Sequence, residues 1–144
     1  MPSRRTIRVV LDANWFISAC LSRKSRRTVY YHVLRNKRIR AYYSPELIDE
    51  FDGVMSRPKF AKYIAPAQVA RFRVLALLFM TKVTPAAIPA TSRDAKDDYL
   101  LGICKASNAD FLITGDDDLL TLGTFEQTVI LSMGQFLQTL SLLE

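Results

Sequence analysis

The run Asp110-Phe111-Leu112-Ile113-Thr114-Gly115-Asp116-Asp117-Asp118-Leu119-Leu120 constrains this chain more than any other segment. It sets an apolar strand against a tight turn that delivers carboxylates. A matching feature opens the chain, where Val9-Val10-Leu11 runs directly into Asp12, with Asn14 two residues on. Two buried strands that each end in Asp predict a site at the carboxyl edge of a parallel sheet, where open α/β folds place their chemistry. Acids gathered at such an edge, with few other reactive groups, point to a divalent metal ion.

The rest of the chain reads as one α/β domain spanning residues 1–144. Ile7–Leu11, Arg40–Tyr43, Phe111–Thr114 and Thr128–Leu131 read as strands, with Lys82–Thr84 a weak edge strand. Helical spacing covers Trp15–Leu21 and Thr28–Leu34, with the basic Ser22–Arg27 between them as a loop or helix end. Ser44-Pro45-Glu46 is a helix start running to about Ser56, with Ser as N-cap and Pro at the first position. Pro66 opens another helix whose Val69, Phe72, Leu75, Ala76 and Phe79 form one apolar stripe. Asp94 caps a helix to about Ser107, and Met133–Leu143 closes the chain. No repeat or linker tract divides it.

Charge is unevenly distributed. Residues 1–40 hold eleven Lys or Arg and one acid, Asp12, whereas residues 41–144 hold nine basic and thirteen acidic residues. A basic segment beside an acidic pocket suits a metal-dependent enzyme acting on a polyanion, with cations holding phosphates through counterion release. A solvated helix face is the plain alternative. No apolar run reaches the ~18 residues of a membrane span. The basic start lacks the apolar region and cleavage site of a signal peptide. Cys20 and Cys104, far apart in apolar segments, read as reduced core residues, so cytoplasm is the default compartment.

Four acidic groups are candidates for the site. Asp12 ends the first strand, where an N-cap role is the competing explanation. Glu50 lies among Leu47, Phe51 and Val54 at the border of a buried stripe, while Asp49 and Asp52 read as solvated. Asp97 and Asp98 occupy the first turn of their helix, about 100° apart, which disfavours both binding one ion directly. Asp116 follows Gly115, at which a turn with positive φ is expected, and Asp118 is a candidate cap for Leu119–Leu122. His32, the sole histidine, reads as exposed, and no phosphate-binding Gly-rich loop or Ser-His-Asp set is present. All-oxygen ligands favour Mg²⁺ or Mn²⁺ and phosphodiester hydrolysis.

Taken together, these segments resemble the PIN-domain nucleases over essentially the whole chain. The matching residues are Val9–Asn14 with Ile17-Ser18-Ala19, Ser44–Phe51 through Arg57-Pro58-Lys59-Phe60, Arg93–Asp98, and Ala109–Asp116 with Asp118-Leu119-Leu120. The resemblance implies a three-layer α/β/α sandwich with a central parallel sheet of about four to five strands. It also implies a Mg²⁺- or Mn²⁺-dependent endoribonuclease acting on single-stranded RNA, closest to the subgroup described as toxins of toxin–antitoxin pairs.

By position, Asp12, Glu50 and Asp116 match the family acids, and the remaining one falls on Asp97 or Asp98. Thr114 matches a hydroxyl that supports the last acid, and Asn14 a polar residue beside the first. Arg23, Lys24, Arg26 and Arg27 are candidates for phosphate contact near the pocket. An antitoxin protein or a second copy is a candidate partner for Trp15, Tyr30 and Tyr31. Ala13 departs from the usual Thr or Ser, and Gly102-Ile103-Cys104 from the usual Ala-rich stretch. Two rival readings are a non-catalytic RNA- or partner-binding scaffold and a phosphatase, the latter disfavoured by Asn14 where a second acid is needed.

Overall fold

Val9, Val10 and Leu11 are all buried, so β1 (Ile7–Leu11) is apolar on both faces, as a central parallel strand must be. The computed structural model describes residues 5–88 and 95–143, with side chains from residue 98 in the second stretch. From β1 the chain passes through α1 (Ala13–Leu21), α2 (Arg23–Thr28) and a π-helical turn over Val29–Leu34 to β2 (Ile39–Tyr43). Next come α3 (Pro45–Met55), the short α4 (Pro58–Ala61), α5 (Pro66–Phe79) and β3 (Met80–Lys82). After α6 (Ala95–Ser107) follow β4 (Phe111–Ile113), α7 (Asp117–Leu122), β5 (Thr124–Phe125), β6 (Thr128–Leu131) and α8 (Met133–Leu143).

The described strands form one sheet in the order β3-β2-β1-β4-β6-β5. All neighbouring pairs are parallel except β5 with β6, a hairpin the sequence pattern did not reveal. That hairpin raises the expected four or five strands to six. Leu100, Leu101, Ile103 and Cys104 of α6 and Phe136 and Leu140 of α8 are among the residues covering the sheet. The resulting fold is a helix-flanked α/β sandwich. No described helix is long and apolar enough to cross a membrane.

Several local expectations change in three dimensions. Where a loop or helix end was expected at Ser22–Arg27, a separate helix starts at Arg23 with Ser22 as its extended cap: the Ser25 N–H donates to Ser22 Oγ at 3.2 Å, and Arg26 reaches back to the Ala19 carbonyl at 3.2 Å. Both contacts satisfy helix-end groups. β3 begins two residues earlier than the pattern suggests, directly at the end of α5. In α5 only Phe72 and Ala76 of the expected stripe are buried, while Phe79 is 40% exposed and packs edge-on against Tyr30. Asp52, with 44% of its side chain exposed, is also gripped bidentately by Arg73 of α5 at 2.9 and 3.0 Å, tying α3 to α5. The expected cap Asp94 lies outside the described residues.

Cys20 and Cys104 are buried free thiols, as expected, and burial pushes them up to about 11 and about 12.

Gly102 explains the departure noted in α6. The Ala86 N–H donates to the Gly102 carbonyl at 2.9 Å, so the loop after β3 lies directly on the helix backbone. A Cβ at residue 102 would come within 2.7 Å of the Ala86 carbonyl oxygen and 3.0 Å of Pro85 Cβ. Gly102→Ala is expected to cost about 1–3 kcal/mol through this overpacking. Urea denaturation of the variant beside the parent protein measures the loss.

Candidate active site at the carboxyl edge

Strand order reverses between β1 and β4: the chain moves outward one way to β2 and β3, and the other way to β6 and β5. Crevices at such a switch point are where parallel sheets bind ligands. The register Leu11↔Ile113 leaves Asp12 and Thr114 side by side just beyond the paired strands. The Asp12 N–H donates to the Ile113 carbonyl at 3.0 Å, and the Thr114 N–H to the Leu131 carbonyl at 3.0 Å. Both side chains therefore leave the sheet from hydrogen-bonded backbone.

Asp12 is a buried carboxylate with two donors. Asn14 N–H donates to Oδ1 at 3.1 Å, making Asp12 the N-cap of α1. Thr114 Oγ1 donates to Oδ2 at 2.7 Å, and the same Oγ1 accepts the Asp116 N–H at 3.0 Å. Thr114 thus supports the first acid with its hydroxyl proton and the last acid's backbone with its lone pair. The resemblance had implied support for the last acid alone. The Asn14 side chain is exposed beside this arrangement.

Asp116, half-buried, caps α7 by accepting from Asp118 N–H at 2.8 Å and Leu119 N–H at 3.3 Å. Because α7 starts at Asp117, the cap is Asp116 rather than Asp118. Gly115 does not have positive φ, and a Cβ there would meet nothing within 4 Å. The left-handed glycine is Gly123, after α7.

Glu50 reaches the same region from α3. The Tyr99 hydroxyl donates to Glu50 Oε2 at 2.7 Å, linking α3 to α6. Burial pushes the Tyr99 phenol far above its usual range, and the Glu50 hydrogen bond with the charges of Glu50, Asp12 and Glu46 adds to the shift. The phenol therefore remains a proton donor wherever the fold survives. Glu50 and Asp12 both act on the Tyr99 phenol in this way. Sequence reasoning missed Tyr99, although its place directly after Asp98 was a usable signal.

Asp98 is partly buried on α6, while the Asp97 side chain lies outside the described residues, so the choice between them stays open. Among the described residues, no three His, Cys, Asp or Glu side chains form a group able to hold a metal ion. The donor chemistry nevertheless suits a hard cation, being carboxylate and hydroxyl oxygen throughout. Ser44 adds to it. Two residues past the pair Val10↔Tyr42, it stands level with Asp12 on the β2 side. Ser44 is the N-cap residue of α3, as expected, but its fully buried hydroxyl makes no capping bond and has no hydrogen-bond partner among the described residues.

Arg23, Lys24, Arg26 and Arg27 are all exposed on α2. Arg26 lines a cleft of about 270 Å³ with Cys20, Gln68 and Arg71, and none of the candidate acids lines it. Trp15 packs partly against the core, whereas Tyr31 is 52% exposed.

A mostly parallel α/β domain with carboxylates held at its switch point is the class this geometry defines. The PIN domain family matches residues 8–118, and the chain belongs to that family. PIN domains are generally nucleases, and they typically use divalent metal ions. An uncharacterized protein of Methanocaldococcus jannaschii is 30% identical over 121 residues, covering 81% of this chain and 75% of the relative.

Thr114→Val keeps the shape but removes both hydrogen bonds of the hydroxyl, leaving buried Asp12 short of a donor. A loss of about 1–3 kcal/mol is expected, measurable by chemical denaturation.

Proposed function

We propose that this protein is a divalent-metal-dependent endoribonuclease that hydrolyses phosphodiester bonds of single-stranded RNA, in the manner of the toxins of toxin–antitoxin pairs. The observation carrying this reading is the joint fixation of Asp12 and Asp116 by Thr114 at the switch point of a PIN-domain sheet. Asp12, Glu50, Asp116 and either Asp97 or Asp98 would hold Mg²⁺ or Mn²⁺. When bound, the ion supplies positive charge against the phosphate and makes water easier to deprotonate.

The chain's own residues do the remaining work. Thr114 keeps Asp12 in one rotamer, and Tyr99 does the same for Glu50, so the carboxylates need no reorganisation when substrate arrives. One carboxylate accepts the proton of the attacking water as its oxygen bonds to phosphorus. The bond from phosphorus to the leaving ribose oxygen breaks, and that oxygen takes a proton from solvent. Arg23, Lys24, Arg26 and Arg27 contribute phosphate affinity.

Incubation of the purified chain with labelled single-stranded RNA and Mn²⁺, Mg²⁺ or EDTA tests the proposal. Cleavage is expected with metal only, falling roughly 100-fold or more in Asp12→Asn and Asp116→Asn. Binding without cleavage under every metal would instead favour an RNA- or partner-binding scaffold.

Tyr99→Phe is expected to keep the fold and weaken Mn²⁺ affinity roughly tenfold, because the support of one ligand is lost. Calorimetric titration of Mn²⁺ into both proteins reads this independently of turnover.

A further inference from the structure

The cations of α2 continue into an aromatic surface that the catalytic site does not use. Tyr31 follows Arg27 by one helical turn and keeps 52% of its surface exposed, with the Arg27 guanidinium 5.7 Å from its ring centre. Tyr30 packs edge-on against Tyr31 at 5.0 Å and against Phe79 of α5 at 6.0 Å. Arg35 lies 5.7 Å from the Tyr30 ring centre. Three aromatic rings are thus bracketed by two guanidinium groups.

Three observations say what fits there. First, among the described residues, Arg23, Lys24, Arg26 and Arg27 make no salt bridge, so four exposed charges on one short helix lack carboxylate partners. Their complement is a polyanion. Second, aromatic faces interleaved with arginine are the chemistry that takes unpaired bases, since any base can stack on them. A duplex, whose bases are already stacked inward, gains nothing from the rings.

Third, Val29–Leu34 is wound as a π-helix, with the Arg35 N–H donating to the Tyr30 carbonyl at 2.8 Å. This winding is rare and is found frequently at functional sites. Val29, Val33 and Leu34 stay buried beneath it, so the segment is anchored while Tyr31 faces out.

We propose that α2 and the π-turn form a single-stranded RNA surface in which Tyr31, framed by Arg27, stacks an unpaired base while the α2 cations hold neighbouring phosphates. This rests on the ribonuclease reading for its ligand, but not on catalysis. The nine residues of α1 separate Asp12 from α2 by about 13 Å of helix. The surface therefore engages nucleotides away from the bond being cut, and selects RNA long enough to reach it.

Fluorescence anisotropy of the whole chain in EDTA, with labelled single-stranded RNA and a duplex of equal length, tests this. Tyr31→Ala is expected to weaken single-strand binding roughly tenfold, about 1.4 kcal/mol, and leave duplex binding unchanged. Tyr31→Phe should restore the affinity, and the salt dependence should be the same in both variants because no charge is altered. Arg23→Ala with Arg27→Ala should flatten the salt slope by roughly 1.4.

Unchanged single-strand affinity in Tyr31→Ala overturns the surface, even if the parent protein cleaves RNA. The same holds if Tyr31→Ala alters only self-association in sedimentation, which would make the face a contact between copies. Tyr31-dependent binding with no cleavage under any metal would support the surface and overturn the nuclease reading alone.

Discussion

The hydrogen bond from Thr114 to Asp12 joins two strands separated by some hundred residues of chain, at the point where the sheet reverses direction. Its worth lies in burial. A carboxylate removed from water loses hydration and must recover it from fixed donors. Asp12 finds them in the Asn14 N–H and the Thr114 hydroxyl. Because Thr114 Oγ1 also accepts the Asp116 N–H, the turn after β4 and the acid it carries are set by the same atom. The acid-bearing edge and the stability of the central strands are one construction.

Tyr99 plays a similar part on the other side. It gives Glu50 a donor and binds α3 to α6, the helix that also bears Asp98. That helix is seated against the loop after β3 at Gly102, where no side chain fits. Three acids on separate elements therefore depend on small contacts outside the acids themselves. Ser44, level with Asp12 on the β2 side, contributes a buried hydroxyl that has no partner among the described residues.

The basic segment is built as its own short element: α2 is a capped helix whose Arg26 opens on a cleft with Arg71. Residue counts alone do not reveal the direction such a helix takes from the strand end that precedes α1.

The sequence by itself determined the α/β class, the parallel core and the strand-end acids, because apolar runs ending in Asp are local patterns that burial and turn chemistry impose. Asp12 and Asp116 stood out as candidates for that reason, and Glu50 through its place among Leu47, Phe51 and Val54 on a helix. Tertiary structure decided which hydroxyl serves which acid, that Tyr99 holds Glu50, that Asp116 rather than Asp118 caps α7, and that Asp52 is gripped by Arg73. It also decided the sixth strand, the π-wound turn and the close approach at Gly102. Each depends on contacts between segments distant in the chain or on backbone dihedrals, and neither leaves a periodic trace in the order of the residues.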